Sequence, residues 1–133
     1  MRPLATGVLS TFVATLHMFC SSPLLAQGGN LVTNGGFEMP ALVQAWEQRL
    51  PGSVFGSWTV DAGGQGIAQV GTFGNPLAIE GLQSLELNFF QPGGVSQSIT
   101  TVPGRSYRLS FLMAGQTNIG PNVKHMRVDW NGA

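Results

Sequence analysis

Ser84 to Gly115 constrains this chain more than any other stretch: SLELNFFQPGGVSQSITTVPGRSYRLSFLMAG. Leu85 and Leu87 alternate with Ser84, Glu86 and Asn88. Pro92-Gly93-Gly94 supplies a turn, after which Val95, Gln97, Ile99 and Thr101 share one face. Pro103-Gly104 supplies a second turn, and Tyr107, Leu109, Phe111 and Met113 line the inner face of the next strand. A side-chain period of two, interrupted twice by Pro-Gly, specifies antiparallel sheet.

The flanking segments extend the same pattern. Asn30–Thr33 reads as a short first strand, followed by a turn or bulged crossing over Asn34–Pro40. Residues 41–56 read as a loop: Ala41–Leu50 could make a helical turn, but Pro40 and Pro51 bound it tightly. Ser57–Val60 and Ile67–Gly71 read as strands, with Ile67 and Gln69 on one face and Ala68 and Val70 on the other. Val123–Trp130 reads as the last strand, with Met126, Val128 and Trp130 facing one way and His125, Arg127 and Asp129 the other. Strand signals at this spacing predict an all-β antiparallel β-sandwich. Asn131-Gly132 is a hairpin turn signal with no returning strand after it, and the strands fall short of the about eight of a jelly roll. The expected domain is therefore C-terminally incomplete, which leaves a sheet edge unpaired.

The N-terminus has a different character. Met1-Arg2 gives a positive start, Leu4–Phe19 is free of acidic and basic side chains apart from His17, and Pro23-Leu24-Leu25-Ala26 precedes Gln27. This is the pattern of a secretory signal peptide cleaved after Ala26. The apolar run is shorter than the ~20 residues a membrane span needs, so no stable span is expected after cleavage. Cys20 is the single cysteine of the 133-residue chain. Met18 and Phe19 are too large for a lipid-attachment signal, and the mature domain, residues 27–133, has no disulfide. Its stability must come from core packing or a metal.

Charged residues make up 9% of the chain and the formal net charge is +0. Solubility must then rest on Gly, Ser, Thr, Asn and Gln. No basic patch points to nucleic acid and no acidic tail points to a cationic partner.

These segments resemble a known family. Asn30-Leu31-Val32-Thr33-Asn34-Gly35-Gly36-Phe37-Glu38 is similar to the opening of galactose-binding-like domains, N-L-[VL]-x-N-G-x-F-E. Trp58-Thr59-Val60 is similar to the W-x-V that follows, and Gly81–Leu87 to G-x-x-S-L-[DE]-L. Gly94–Gln97, Pro103–Phe111 and Ala114–Lys124 are similar to G-x-[VI]-x-Q, P-G-x-x-Y-x-L-x-F and A-G-N…G-P-x-V-K. In this order the motifs resemble the bacterial choice-of-anchor C family, itself similar to a plant cell-wall family with a domain of unknown function and a galactose-binding-like fold. Asn88-Phe89-Phe90 departs from the family's N-G after the strand, and the family's closing strands and anchor signal are not seen.

The resemblance implies a jelly-roll, galactose-binding-like sandwich that recognises cell-wall polysaccharide or surface glycan without catalysis. The alternative is a structural or protein-interaction module of the cell envelope with no sugar site. A hydrolase is the least supported: Glu80 and Glu86 give no reason to converge. His125, the one mature histidine, has no partner pattern for a triad or metal pair. The glycines of Ala62–Gly66 precede no helix that could bind phosphate.

The candidate residues follow. Trp46, Phe55, Phe73, Phe89 and Phe90 fall in expected loops, where rings can stack on a sugar's apolar face or plug the core. Phe89-Phe90 is the preferred pair, because strand neighbours face opposite ways and one should be exposed. Gln97, polar on an otherwise apolar face, is either a ligand-contacting amide or a pin for a neighbouring backbone. In related modules a Glu at the position of Glu38 helps hold a structural calcium, which takes six to eight oxygens. By that resemblance Asn34, Glu38 and Asp129 are the candidate ligands, the other reading of Glu38 being a solvated or salt-bridged turn residue.

Overall fold

The computed structural model describes residues 12–21, 29–62, 64–74, 78–115, 120 and 123–130. Eight β-strands and no helix occur among them: β1 (Phe12–Ser21), β2 (Trp46–Arg49), β3 (Val54–Phe55), β4 (Trp58–Val60), β5 (Ile67–Val70), β6 (Ser84–Glu86), β7 (Val95–Ser96) and β8 (Ser106–Gly115). They form three small antiparallel sheets, ordered β2-β5-β6, β3-β4-β7 and β1-β8. The described residues are all-β and sandwich-like, with their core between the two three-stranded sheets.

Alternation builds that core. In β4, Trp58 and Val60 are buried while Thr59 is exposed. Across the short hairpin, Phe55 pairs with Trp58. The two residues of the turn, Gly56 and Ser57, both have positive φ, 48° and 80°. That is the backbone twist a two-residue hairpin loop requires. Phe55, Trp58 and Val60 join Ile67 and Leu85 of the facing sheet, and Val32 and Phe37 from the first turn, in one buried cluster. Each such side chain withdraws enough apolar surface to contribute about 1.5–3 kcal/mol. Tyr107 and Leu109 of β8 pack on the cluster from its edge.

β5 is buried at all four positions, so both its faces are covered. Three expectations change. Residues 41–56 hold β2 and β3. WEQR has no apolar alternation, and its strand exists because β5 offers a partner, with Trp46 opposite Val70 and Arg49 opposite Ile67. Asn30–Thr33 forms no strand. The Val32 N–H is taken by the Asn30 side chain at 3.0 Å, a local bond that competes with a ladder. Residues 123–130 also carry no ladder to another described strand, so their alternation alone does not make them a strand. The Asn131-Gly132 turn signal lies outside the described residues.

β1 belongs to the segment that reads as a signal peptide. It pairs with β8 over ten residues, from Phe12↔Gly115 to Ser21↔Ser106.

Candidate functional site

Trp46 opens β2 and Phe89 and Phe90 lie in the turn after β6. Their rings meet: the centroids of Trp46 and Phe89 are 4.8 Å apart and those of Phe89 and Phe90 4.1 Å, each pair tilted by 52°. Ladder register alone would not bring them together. Trp46 lines up with Val70 and, through it, with Ser84, and Phe89 is about 16 Å farther along an extended strand. The turn after Glu86, closed by the Gly93 N–H donating to the Leu87 carbonyl at 2.7 Å, must lean back over the sheet. Phe89 and Phe90 are thus not strand neighbours facing opposite ways. Their rings lie together, Phe89 half-buried and Phe90 52% exposed, beside a Trp46 that is 49% exposed. Tilted rings of this kind present stepped apolar faces to solvent rather than one flat plate.

The other aromatic candidates go elsewhere. Phe55 is in the core, with the Arg49 guanidinium 5.6 Å from its ring centre. Phe73 is 83% exposed and stands in a turn of its own.

Residues 34–42 form a densely hydrogen-bonded loop, and two of the candidate metal ligands, Asn34 and Glu38, hold it. The Asn34 side chain accepts from the Met39 N–H at 3.0 Å and donates to the Met39 carbonyl at 2.7 Å. The Asn34 carbonyl accepts from Phe37 N–H at 3.0 Å and from the Trp58 indole at 2.9 Å. Phe37 has φ 61°, a conformation uncommon for a bulky residue, and is kept there by burial against Trp58, with ring centres 5.3 Å apart. Glu38 Oε1 accepts from the Leu82 and Gln83 N–H groups at 2.8 and 3.1 Å.

Two buried glutamines complete the loop, and sequence reasoning assigned neither to it. Gln69 and Gln83 each donate to the carbonyls of Phe37 and Pro40. Gln83 also accepts from Leu42 N–H at 2.6 Å. Gln69 accepts from Nε and Nη2 of Arg49, whose Nη1 bonds Glu47 at 2.6 Å. The only sequence sign was a polar residue on the Ile67 face of a buried strand.

This arrangement gives the candidate calcium ligands other partners. Asn34 Oδ1 and Glu38 Oε1 accept from N–H donors, which a cation at those atoms would have to displace, and Asp129 is paired with Arg127 at 2.9 Å. Among the described residues no group of three or more His, Cys, Asp or Glu is placed to hold a metal. Gln97 takes the pinning role: it accepts from Thr33 N–H and donates to the Thr33 carbonyl, both at 2.8 Å. Its amide supplies the ladder bonds that Thr33 does not receive from a strand.

At β8, Arg105, Tyr107, Leu109 and Trp130 line an open groove of about 300 Å³. Trp130 stacks on Tyr107 at 6.4 Å and 24°, and the Tyr107 hydroxyl accepts from Val102 N–H at 2.6 Å.

Comparison with protein-family models, with curated proteins and with solved structures gives no match for this chain. Among the described residues no helix is long and apolar enough to cross a membrane.

Proposed function

We propose that this chain is a secreted, non-catalytic recognition module with a jelly-roll, galactose-binding-like sandwich. It binds cell-wall polysaccharide or surface glycan through Trp46, Phe89 and Phe90. The observation that carries the reading is the convergence of these three rings from separate parts of the chain, with Trp46 and Phe90 about half exposed. Solvent-facing rings bury area against the C–H face of a sugar and orient it without needing charge, which suits a chain of balanced charge. Residues 1–26 act as the cleaved leader, and no nucleic acid is a partner.

A glycan array of plant and bacterial polysaccharides, followed by tryptophan-fluorescence titration of any hit, tests the reading. Saturable binding that quenches Trp46 is expected, and a folded chain that binds no glycan overturns it. N-terminal sequencing of the exported chain, expected to begin at Gln27, tests the leader.

The second reading, a protein-interaction module of the envelope, draws support from Phe73, Val43 and Val54, whose side chains are more exposed than the ring cluster. It predicts capture of a protein of the envelope with no glycan response.

A further inference from the structure

Tyr107 is held by the turn that precedes β8. Its hydroxyl accepts from Val102 N–H at 2.6 Å, and the Arg105 N–H donates to the Val102 carbonyl at 3.2 Å. Gly104 takes φ 78° inside that turn, a conformation that favours glycine. One turn therefore fixes both the Arg105 backbone and the Tyr107 ring. Tyr107 and Leu109 also pack on the core cluster, which leaves the wall they form little freedom. Trp130 lies over Tyr107 at 6.4 Å and 24°, and is still 44% exposed. The groove that these side chains line, about 300 Å³, has the size of a small-ligand site. Arg105 borders it, two residues from Tyr107, and is exposed.

We propose that this groove is a second binding site, sharing no residue with the Trp46–Phe89–Phe90 cluster, and that it takes a hexuronate unit of an acidic polysaccharide. The lining has two parts, and the ligand must match both. Tyr107, Leu109 and Trp130 offer apolar faces, which bury the C–H face of a pyranose. Arg105 offers a planar fork of N–H donors, the geometry that suits a carboxylate. With five donors, a guanidinium can serve a carboxylate while keeping an intramolecular partner. The Tyr107 hydroxyl is turned to Val102, so this side chain contributes mainly its ring face. The charges favour an anion. Arg105 is the one charged group among the described lining residues, and Asp129, beside Trp130 in sequence, is paired with Arg127 at 2.9 Å. A bare phosphate or sulfate would leave the rings unused, and a neutral sugar would make no use of the charge on the fork. The choice of a sugar over another ring carboxylate rests on the recognition reading; the preference for an anion does not.

Calorimetry on the full 133-residue chain with trigalacturonate, its methyl ester and benzoate tests this. The free acid should bind, with an affinity that falls as salt rises. The methyl ester keeps the sugar rings and loses the charge, and it should bind at least about tenfold more weakly. Arg105→Gln should bring the acid down to the affinity of the ester, and Trp130→Ala should weaken both. Circular dichroism checks that the variants are folded, and the comparison of acid with ester needs no variant at all. Absence of binding by the acid overturns the site, as does an ester that binds equally well. A folded Arg105→Gln chain that binds the acid like the parent puts the acid elsewhere and overturns the assignment. Benzoate binding more tightly than trigalacturonate overturns the hexuronate in favour of an aromatic acid. The ring cluster fails separately. A chain that takes trigalacturonate through Arg105 and binds no neutral glycan keeps this site and loses that one; the converse sinks only this one.

Discussion

Gln69 and Gln83 donate to the same two carbonyl oxygens, those of Phe37 and Pro40, at 2.8 and 3.0 Å from Gln69 and 2.9 and 3.2 Å from Gln83. One glutamine is in β5 and the other immediately precedes β6. Between the two carbonyls lie Glu38 and Met39, so the pair grips both ends of a short loop segment. A carbonyl has two lone pairs, and here both are used. The loop's backbone can therefore turn inward without leaving unmet hydrogen-bonding groups.

Sharing has an energetic consequence. Gln83→Leu leaves each carbonyl one donor, as does Gln69→Leu, and each should cost about 1–3 kcal/mol. The Gln69 change sits toward the upper end because Arg49 also loses its acceptor. The double variant leaves both carbonyls bare and should cost more than the two single losses together, by about 1 kcal/mol. Urea denaturation of the four chains measures this, and simple additivity would refute the shared clamp.

Glu38 and Gly81 form a second lock on the same loop. Gly81 has φ +73°, and a Cβ there would run into the Glu38 carboxylate. Gly81→Ala should destabilise by about 1–2 kcal/mol through backbone conformation alone, with the displaced carboxylate adding to it. Glu38→Gln retains an acceptor and should be milder than Glu38→Ala, which strands the Leu82 and Gln83 N–H groups. Chelator should leave the parent melting midpoint unchanged, because hydrogen bonds rather than a cation fix this carboxylate. A midpoint that falls with chelator and recovers with calcium would restore the metal reading.

Much of the core was legible because alternation and burial coincide where a strand has one open face. Trp58 and Val60, with exposed Thr59 between them, follow that rule. β5 escaped it because enclosure on both faces depends on partners distant in sequence. β2 escaped because Trp46–Arg49 carries no apolar period of its own, and residues 123–130 show the converse, a period with no ladder to another described strand. Strand alternation puts Phe89 and Phe90 on opposite faces, and both their mutual contact and the contact of Phe89 with Trp46 required the fold. Gln97 was legible only as an alternative between ligand and pin; its 64-residue reach to Thr33 decided it.

Gln97 separates stability from binding. Gln97→Ala removes both bonds to Thr33 and should lower stability by about 1 kcal/mol, the net contribution of such bonds at a partly exposed site. Glycan affinity should not change, because both polar ends of the amide are already committed to backbone. Thermal melting and a binding titration on the same preparation test this together. A loss of affinity with an unchanged midpoint would return Gln97 to the ligand site.

The ring cluster makes the opposite prediction. Phe90 is exposed, so Phe90→Ala should shift stability by less than about 0.5 kcal/mol. It should still weaken glycan binding roughly tenfold, the equivalent of about 1.4 kcal/mol. Trp46→Ala should weaken binding at least as much, since indole offers the larger stacking face. Phe89 is half-buried between the two, and Phe89→Ala should cost both stability and affinity because the rings it supports lose their tilt. Calorimetry with the best polysaccharide from the array, run on the three single variants beside their urea midpoints, separates the roles. If all three variants bind like the parent chain while folded, the rings are surface packing and the sugar site lies elsewhere.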